Sequence, residues 1–195
     1  MKVYKHKNYK EYRKAQIVKN ERKLQHVWVK NNELELISKR VRKFIPDASF
    51  GICHGVRNAW EVKMLRKLLK IDVLGTDIAP SANKFQNTIQ WDFHNMKDEW
   101  KNNVDFIYSN SFDHSYDPEK CLDVWMKCLR KNVGICFIHW MSTNANKIDA
   151  ADCFAGSIKD YRKLITKQYQ IVEELGNQHR RIFVIKHKDK IGKEE

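Results

Sequence analysis

Proline and glycine are scarce in this chain, with 3 and 7 of 195 residues. No stretch rich in Pro, Gly or Ser interrupts it, which excludes a flexible linker between large domains and fits one compact unit. No apolar run approaches the roughly 18 residues that a spanning helix needs, so no membrane partner is expected. The Lys-rich N-terminus has no apolar stretch behind it, unlike a secretory signal. Internal repeats and low-complexity segments are lacking too. The five cysteines, Cys53, Cys121, Cys128, Cys136 and Cys153, are odd in number and form no C-x-x-C pair near histidines. Neither a disulfide framework nor a zinc site follows, no metal is expected, and scattered thiols suit a reducing, cytoplasmic setting.

What is present is a core. Hydrophobic residues make up 42% and aromatics 11%, which excludes wholesale disorder. The net charge of +13 is unevenly spread. Residues 1–45 hold 14 Lys and Arg against 4 Asp and Glu, whereas the rest holds 23 against 20. This divides the chain into a basic helical N-terminal extension over 1–45 and a nearly neutral domain over 46–195. Such an arm can meet nucleic-acid phosphate or an acidic surface, and it can equally be a solvated helical face.

Residues 1–30 show only a weak period. From Leu34 the pattern sharpens, with Leu34, Ile37, Val41 and Phe44 on one helical face ahead of Pro46. Strands are then expected over 48–53, 71–76, 88–91, 104–109 and 135–139, and a helix over 58–70. A further helix opens at Asp117 and Pro118, a good N-cap followed by a residue whose missing N–H costs nothing there. Ser157-x-x-Asp160 resembles a capping box for a helix to about 167. Two late strands, 171–172 and 181–185, meet through the Gly176-Asn177 turn region. Strands alternating with helices indicate an α/β layered fold with a mainly parallel sheet and an antiparallel edge. In such sheets ligands bind at the carboxyl ends of the strands.

Small residues Gly51, Cys53 and Gly55 in Gly51-Ile52-Cys53-His54-Gly55-Val56-Arg57-Asn58 permit a sharp turn and close approach to a ligand, and the following helix N-terminus favours negative charge. An ordinary strand–helix turn would look the same. Asp77 follows the next strand, where a carboxylate can accept from ribose hydroxyls. Asp92 follows the third, beside aromatics, where it could meet an adenine amino group. Either acid could instead be a cap, but three successive strand ends of this kind are improbable by chance.

Over roughly residues 47–188 the chain resembles the class I, seven-stranded, Rossmann-like methyltransferases that use S-adenosylmethionine. That family's E/D-x-G-x-G-x-G loop matches Ser49-Phe50-Gly51-Ile52-Cys53-His54-Gly55, with Ser49 in place of the acid and Cys53 in place of the middle glycine. The resemblance implies that this loop cradles the cofactor's methionine part, that Asp77 meets its ribose with Ile78 on adenine, and that Asp92 and Phe93 meet the adenine edge. It also implies that Ser109-Asn110-Ser111-Phe112-Asp113-His114 lines the methyl-transfer pocket, with Asn110 and Ser111 toward the cofactor. Lys131-Asn132-Val133-Gly134 keeps only part of the family's Lys-Pro-Gly-Gly.

Methyl transfer is an in-line displacement for which the cofactor supplies the leaving group, so the protein aligns the nucleophile and, for a hydroxyl or amine, supplies a base. His114 and His139 are the candidate bases, with Asp113 behind them. Arg57 is either a partner for the cofactor carboxylate or an exposed helix residue. The long segment 142–156 is expected over the acceptor, with Phe154 as a contact. The acceptor expected is a small molecule or sugar. The alternatives are RNA held by residues 1–45, although 110–113 lacks the prolines of base-amino methyltransferases, a reductase using Tyr116-x-x-x-Lys120, and a non-catalytic binding module.

Overall fold

The computed structural model describes residues 1–188. The last seven residues of the expected 46–195 domain lie outside this range. Its strands are β1 (Lys2–Val3), β2 (Phe50–His54), β3 (Asp72–Asp77), β4 (Thr88–Gln90), β5 (Phe106–Ser109), β6 (Ile135–Met141), β7 (Phe154–Ala155), β8 (Tyr169–Gly176) and β9 (Arg180–His187). Its helices are α1 (Tyr9–Arg22), α2 (Asn31–Phe44), α3 (Trp60–Leu69), α4 (Pro118–Cys128) and α5 (Ile158–Thr166). Seven strands form one sheet in the order β4-β3-β2-β5-β6-β9-β8. The first five run parallel, while β9 is antiparallel to both β6 and β8. The mostly parallel Rossmann-like sheet with an antiparallel edge is therefore as expected.

Alternation along the strands builds the two layers, because successive side chains point to opposite faces. On β6, Cys136 and Ile138 join a core with Leu122, Trp125 and Met126 of α4 and Tyr161 and Ile165 of α5. Ile135 and Phe137 face the other core, made by Leu34, Ile37 and Val41 of α2 and Val62, Leu65 and Leu69 of α3. Asp117 accepts the Lys120 N–H as N-cap, and Ser157 and Asp160 form a reciprocal capping box.

Three features depart from the sequence pattern. Helix α1 has no apolar stripe; its buried positions are Tyr12, Gln16 and Asn20, four residues apart and mostly polar. Strand β6 continues two residues past 139, because Trp140 and Met141 pair with Arg181 and Arg180 of β9. The excursion after β6 returns through β7, which pairs with β1. That pairing puts Phe154 wholly inside, against Phe112 and Tyr161, so it is a core residue and not an acceptor contact.

The His54 ring is buried at the end of β2, stacked 4.9 Å from Trp125, with Nδ1 2.8 Å from Thr76 Oγ1. Burial pushes its pKa down from 6.5 to about 3. The folded protein keeps this ring neutral while the unfolded chain takes up a proton below about pH 6.5, so its effect is to withdraw stability as pH falls through that window. Between about pH 7.5 and 4.5, wild type should lose about 2–3 kcal/mol more than His54→Gln, at about 1.4 kcal/mol per pH unit. Urea unfolding at both pH values checks this; parallel losses would show that His54 does not titrate on unfolding.

Candidate active site

Strand order reverses between β2 and β5, and the cleft lies at their carboxyl ends, as the general rule for open α/β sheets requires. Gly55 follows β2 with φ +72°, and a Cβ there would sit 2.5 Å from Ser111 Cβ. The two strand ends are tied by Ser111 Oγ donating to the Gly55 carbonyl at 3.0 Å and Ser109 Oγ donating to the His54 carbonyl at 3.0 Å. Only a residue without a side chain lets these ends close to this distance.

The turn itself falls later than the family pattern suggests. Residues 50–54 are strand, paired on both sides, and the left-handed residues are Gly55, Arg57 (φ 45°) and Ala59 (φ 60°). Gly51 is in the sheet because the Phe106 ring occupies the space of a Cβ, and Cys53 is buried in the core shared with α2 and α3. With His54 under the sheet, the side chains at 51, 53 and 54 do not line the cleft, and Gly55 alone of that loop does.

Asp77, at the end of β3, accepts the Arg57 N–H at 2.9 Å on one carboxylate oxygen and the Ala79 N–H at 3.0 Å on the other. Each oxygen keeps a further acceptor site. Burial raises the Asp77 pKa against the pull of these N–H groups and of Arg57. The first of these bonds also holds Arg57 in its left-handed conformation, which costs of order 1 kcal/mol in a residue other than glycine. Asp92 is engaged by the chain itself: Tyr9 Oη donates to it at 2.8 Å, and the His94 N–H and ring Nδ1 lie at 2.9 and 2.7 Å. Burial opposes ionisation of Asp92, and the His94 and Tyr9 bonds outweigh it, holding its pKa low.

Two adjoining cavities result. A narrow one of about 40 Å³ lies between Asp77, Ile78, Asp92 and Phe93 on the sheet side and Tyr12, Gln16, Lys19 and Asn20 of α1 above. A wider one of about 270 Å³ reaches from Gly55, Arg57, Asn110 and Ser111 to Asp113, His114 and Asn144, with His26 and Trp28 among its lining residues. Both share Lys19, Gly55, Arg57, Ser111 and His114. Asn110 Oδ1 is buried without a hydrogen-bond partner. Glu61 also borders the wider cavity, and burial pushes its carboxyl up to about 7, despite the counter-pull of Arg57.

His114 and His139 separate here. His114 lines both cavities. His139 lies within β6, 5% exposed, its ring against Tyr108 at 5.6 Å with neither nitrogen hydrogen-bonded. Burial lowers its pKa to about 4, and it borders a third cavity of about 10 Å³ that shares Asn110, Asp113, Met141 and Asn144 with the wide one, which His139 itself does not line. His139 is therefore not placed to act as a base on a molecule in the wide cavity.

Sequence reading missed the residues of α1, the Trp28 and His26 pair, Glu61 and Asp152. Asp113, His114 and Asp152 place one potential ligand atom each within 4.8 Å of one another, the one such group among the described residues. Lys19 supplies positive charge there through its ion pair with Asp152. Among the described residues no helix is long and apolar enough to cross a membrane.

No family model and no curated protein matches the chain. Solved structures do. The Burkholderia thailandensis 1,6-didemethyltoxoflavin-N1-methyltransferase, solved with that compound and S-adenosylhomocysteine, superposes with a TM-score of 0.71 at 11% identity over 95% of this chain and 92% of that one. A chain of the Haloferax volcanii complex that contains the Trm112 methyltransferase activator gives 0.66 at 12% identity over 94% and 100%. The mitomycin 7-O-methyltransferase gives 0.62 at 12% identity, over 81% of this chain and 54% of that one. At these identities the likeness is one of fold, and the fold is that of the class I methyltransferases.

Proposed function

We propose that the protein is an S-adenosylmethionine-dependent methyltransferase acting on a small-molecule or sugar-type acceptor. The observation that carries this is the meeting of Gly55, Asp77, Ile78, Asp92, Phe93, Asn110, Ser111 and His114 around one cleft, from four separate strand ends. The residues fit an adenosylated amino acid in kind. Asp77 keeps two free acceptor sites for a vicinal diol, Gly55 puts bare backbone on the wall of both cavities, and the orphaned Asn110 Oδ1 seeks a donor. Bound S-adenosylmethionine supplies an activated methyl group. The chain's part is to hold it, exclude water beneath α1 and take a proton from the acceptor at His114.

The narrow cavity has room for a few waters only, so entry of a nucleoside requires α1 to lift. Beside the buried Tyr12 ring, which packs on His94 and Tyr116, α1 is held by polar contacts that water can replace: Tyr9 to Asp92, Gln16 to His114 and Ala151, and Lys19 to Asp152.

The wide cavity supports an acceptor of modest size. At its rim Trp28 is 46% exposed and stacked on His26, with the Lys23 ammonium 5.4 Å from the ring centroid, a surface suited to a sugar face or an anionic ring. The test is incubation with tritium-methyl S-adenosylmethionine and a panel of hexose phosphates, nucleoside phosphates and total RNA. Label should enter the small-molecule fraction. Label in RNA alone would overturn this acceptor class in favour of RNA held by the basic residues 1–45; such binding would weaken steeply between low and moderate salt.

A further inference from the structure

We propose that Gln16 is a positioning residue that sets the tautomer of His114 and leaves Nε2 as the nitrogen that takes the acceptor's proton. This rests on the reading of His114 as the base and adds how that base is prepared.

Gln16 is 7% exposed on the underside of α1. Its amide nitrogen donates to the Ala151 carbonyl at 2.8 Å and lies 3.3 Å from Cys153 Sγ. Turning the amide over would place two oxygens 2.8 Å apart, so the orientation is settled by the Ala151 bond. The amide oxygen then faces His114 Nδ1 at 3.0 Å. An amide oxygen only accepts, so Nδ1 carries the hydrogen, and in a neutral imidazole Nε2 must be the free base.

Nε2 lies 3.6 Å from Asp152 Oδ1 and 4.0 Å from Asp113 Oδ1. These separations are too long for hydrogen bonds, and an ionised carboxylate has no proton to give the Nε2 lone pair, which therefore stays free. They are short enough for both carboxylates to stabilise the positive charge that appears when Nε2 gains a proton. Lys19, one turn beyond Gln16, pairs with Asp152, and Asn144 Nδ2 donates to Asp113 at 2.8 Å, so both acids are held in place.

The step balances simply. The acceptor's O–H or N–H bond breaks, its electron pair stays with the nucleophilic atom, and the proton forms a new bond at Nε2, leaving an imidazolium that later releases it to water. Because Gln16 belongs to α1, the base is set only while that helix covers the cleft.

The test reads the tautomer directly. Long-range proton–nitrogen correlation spectra of the ¹⁵N-labelled full chain, at about pH 8 where a histidine is neutral, should show a pyrrole-type Nδ1 and a pyridine-type Nε2 for His114, assigned by loss of the signals in His114→Asn. This is the reverse of the form free histidine favours. Gln16→Leu should shift His114 toward the Nε2–H form and lower turnover about tenfold on the acceptor found by the labelling screen, a part of the roughly 10²–10⁴ that a general base contributes. Gln16→Glu, whose carboxylate loses the donor to the Ala151 carbonyl and must turn from it but still accepts from Nδ1–H, should keep the wild-type tautomer. An Nε2–H tautomer in the wild type, or an unchanged tautomer in folded Gln16→Leu, overturns the proposal; should Gln16→Leu not fold, the wild-type and Gln16→Glu spectra decide. The expected tautomer together with full turnover of His114→Ala would instead overturn the base reading beneath it.

Discussion

Asp77→Ala is expected to weaken binding of S-adenosylhomocysteine at least about 100-fold. Two backbone N–H groups already occupy one acceptor site on each oxygen of this carboxylate, which lines the narrow cavity and keeps one further site on each oxygen. A ribose diol that fills them makes two hydrogen bonds to a charged group, each worth about 1.5–3 kcal/mol. Their joint loss at the lower bound is about 3 kcal/mol, or two decades in Kd. The variant also frees the Arg57 N–H, so the left-handed turn should loosen and add to the effect. Calorimetry on folded Asp77→Ala, with folding verified by circular dichroism, measures this. An affinity within threefold of wild type would remove Asp77 from the cofactor site.

His114→Ala is expected to lower turnover tenfold or more while leaving S-adenosylhomocysteine affinity within about threefold. A positioned general base contributes about 10²–10⁴ in rate, and the lower figure allows for an acceptor that ionises readily without help. The same change at His139 should leave the chemical step intact, since that ring is buried beside Tyr108 and does not line the wide cavity. Comparing kcat for the two variants, each shown to fold, separates the histidines. Full turnover in His114→Ala would eliminate it as the base.

The parts of the fold that were legible in the sequence are those in which local chemistry and tertiary packing agree. Ile135 to Ile138 reads as strand because both faces of the parallel sheet are covered, and Asp117-Pro118 and Ser157-x-x-Asp160 mark helix starts with side chains that do cap them. Asp77 and Asp92 stand where strand ends in this architecture place ligands, and both line the narrow cavity.

Helix α1 was illegible because its inward stripe is Tyr12, Gln16 and Asn20, and apolar periodicity does not register a helix that buries amides. The loop register slipped because small residues at 51 and 53 look like turn residues, yet Gly51 is required by the Phe106 ring inside the sheet. His139 was misplaced because nothing local says that β6 runs on through Trp140 and Met141; that depends on β9, forty residues later. Asp152 meets His114 only through the return of the 142–156 segment, a contact with no sequence period at all.

The central claim is that this cleft holds S-adenosylmethionine, and the most direct measurement is titration calorimetry of the full wild-type chain with S-adenosylhomocysteine. The account predicts one-site binding with a micromolar Kd. Absence of binding by a chain shown to be folded would contradict it and leave a class I methyltransferase fold put to another use.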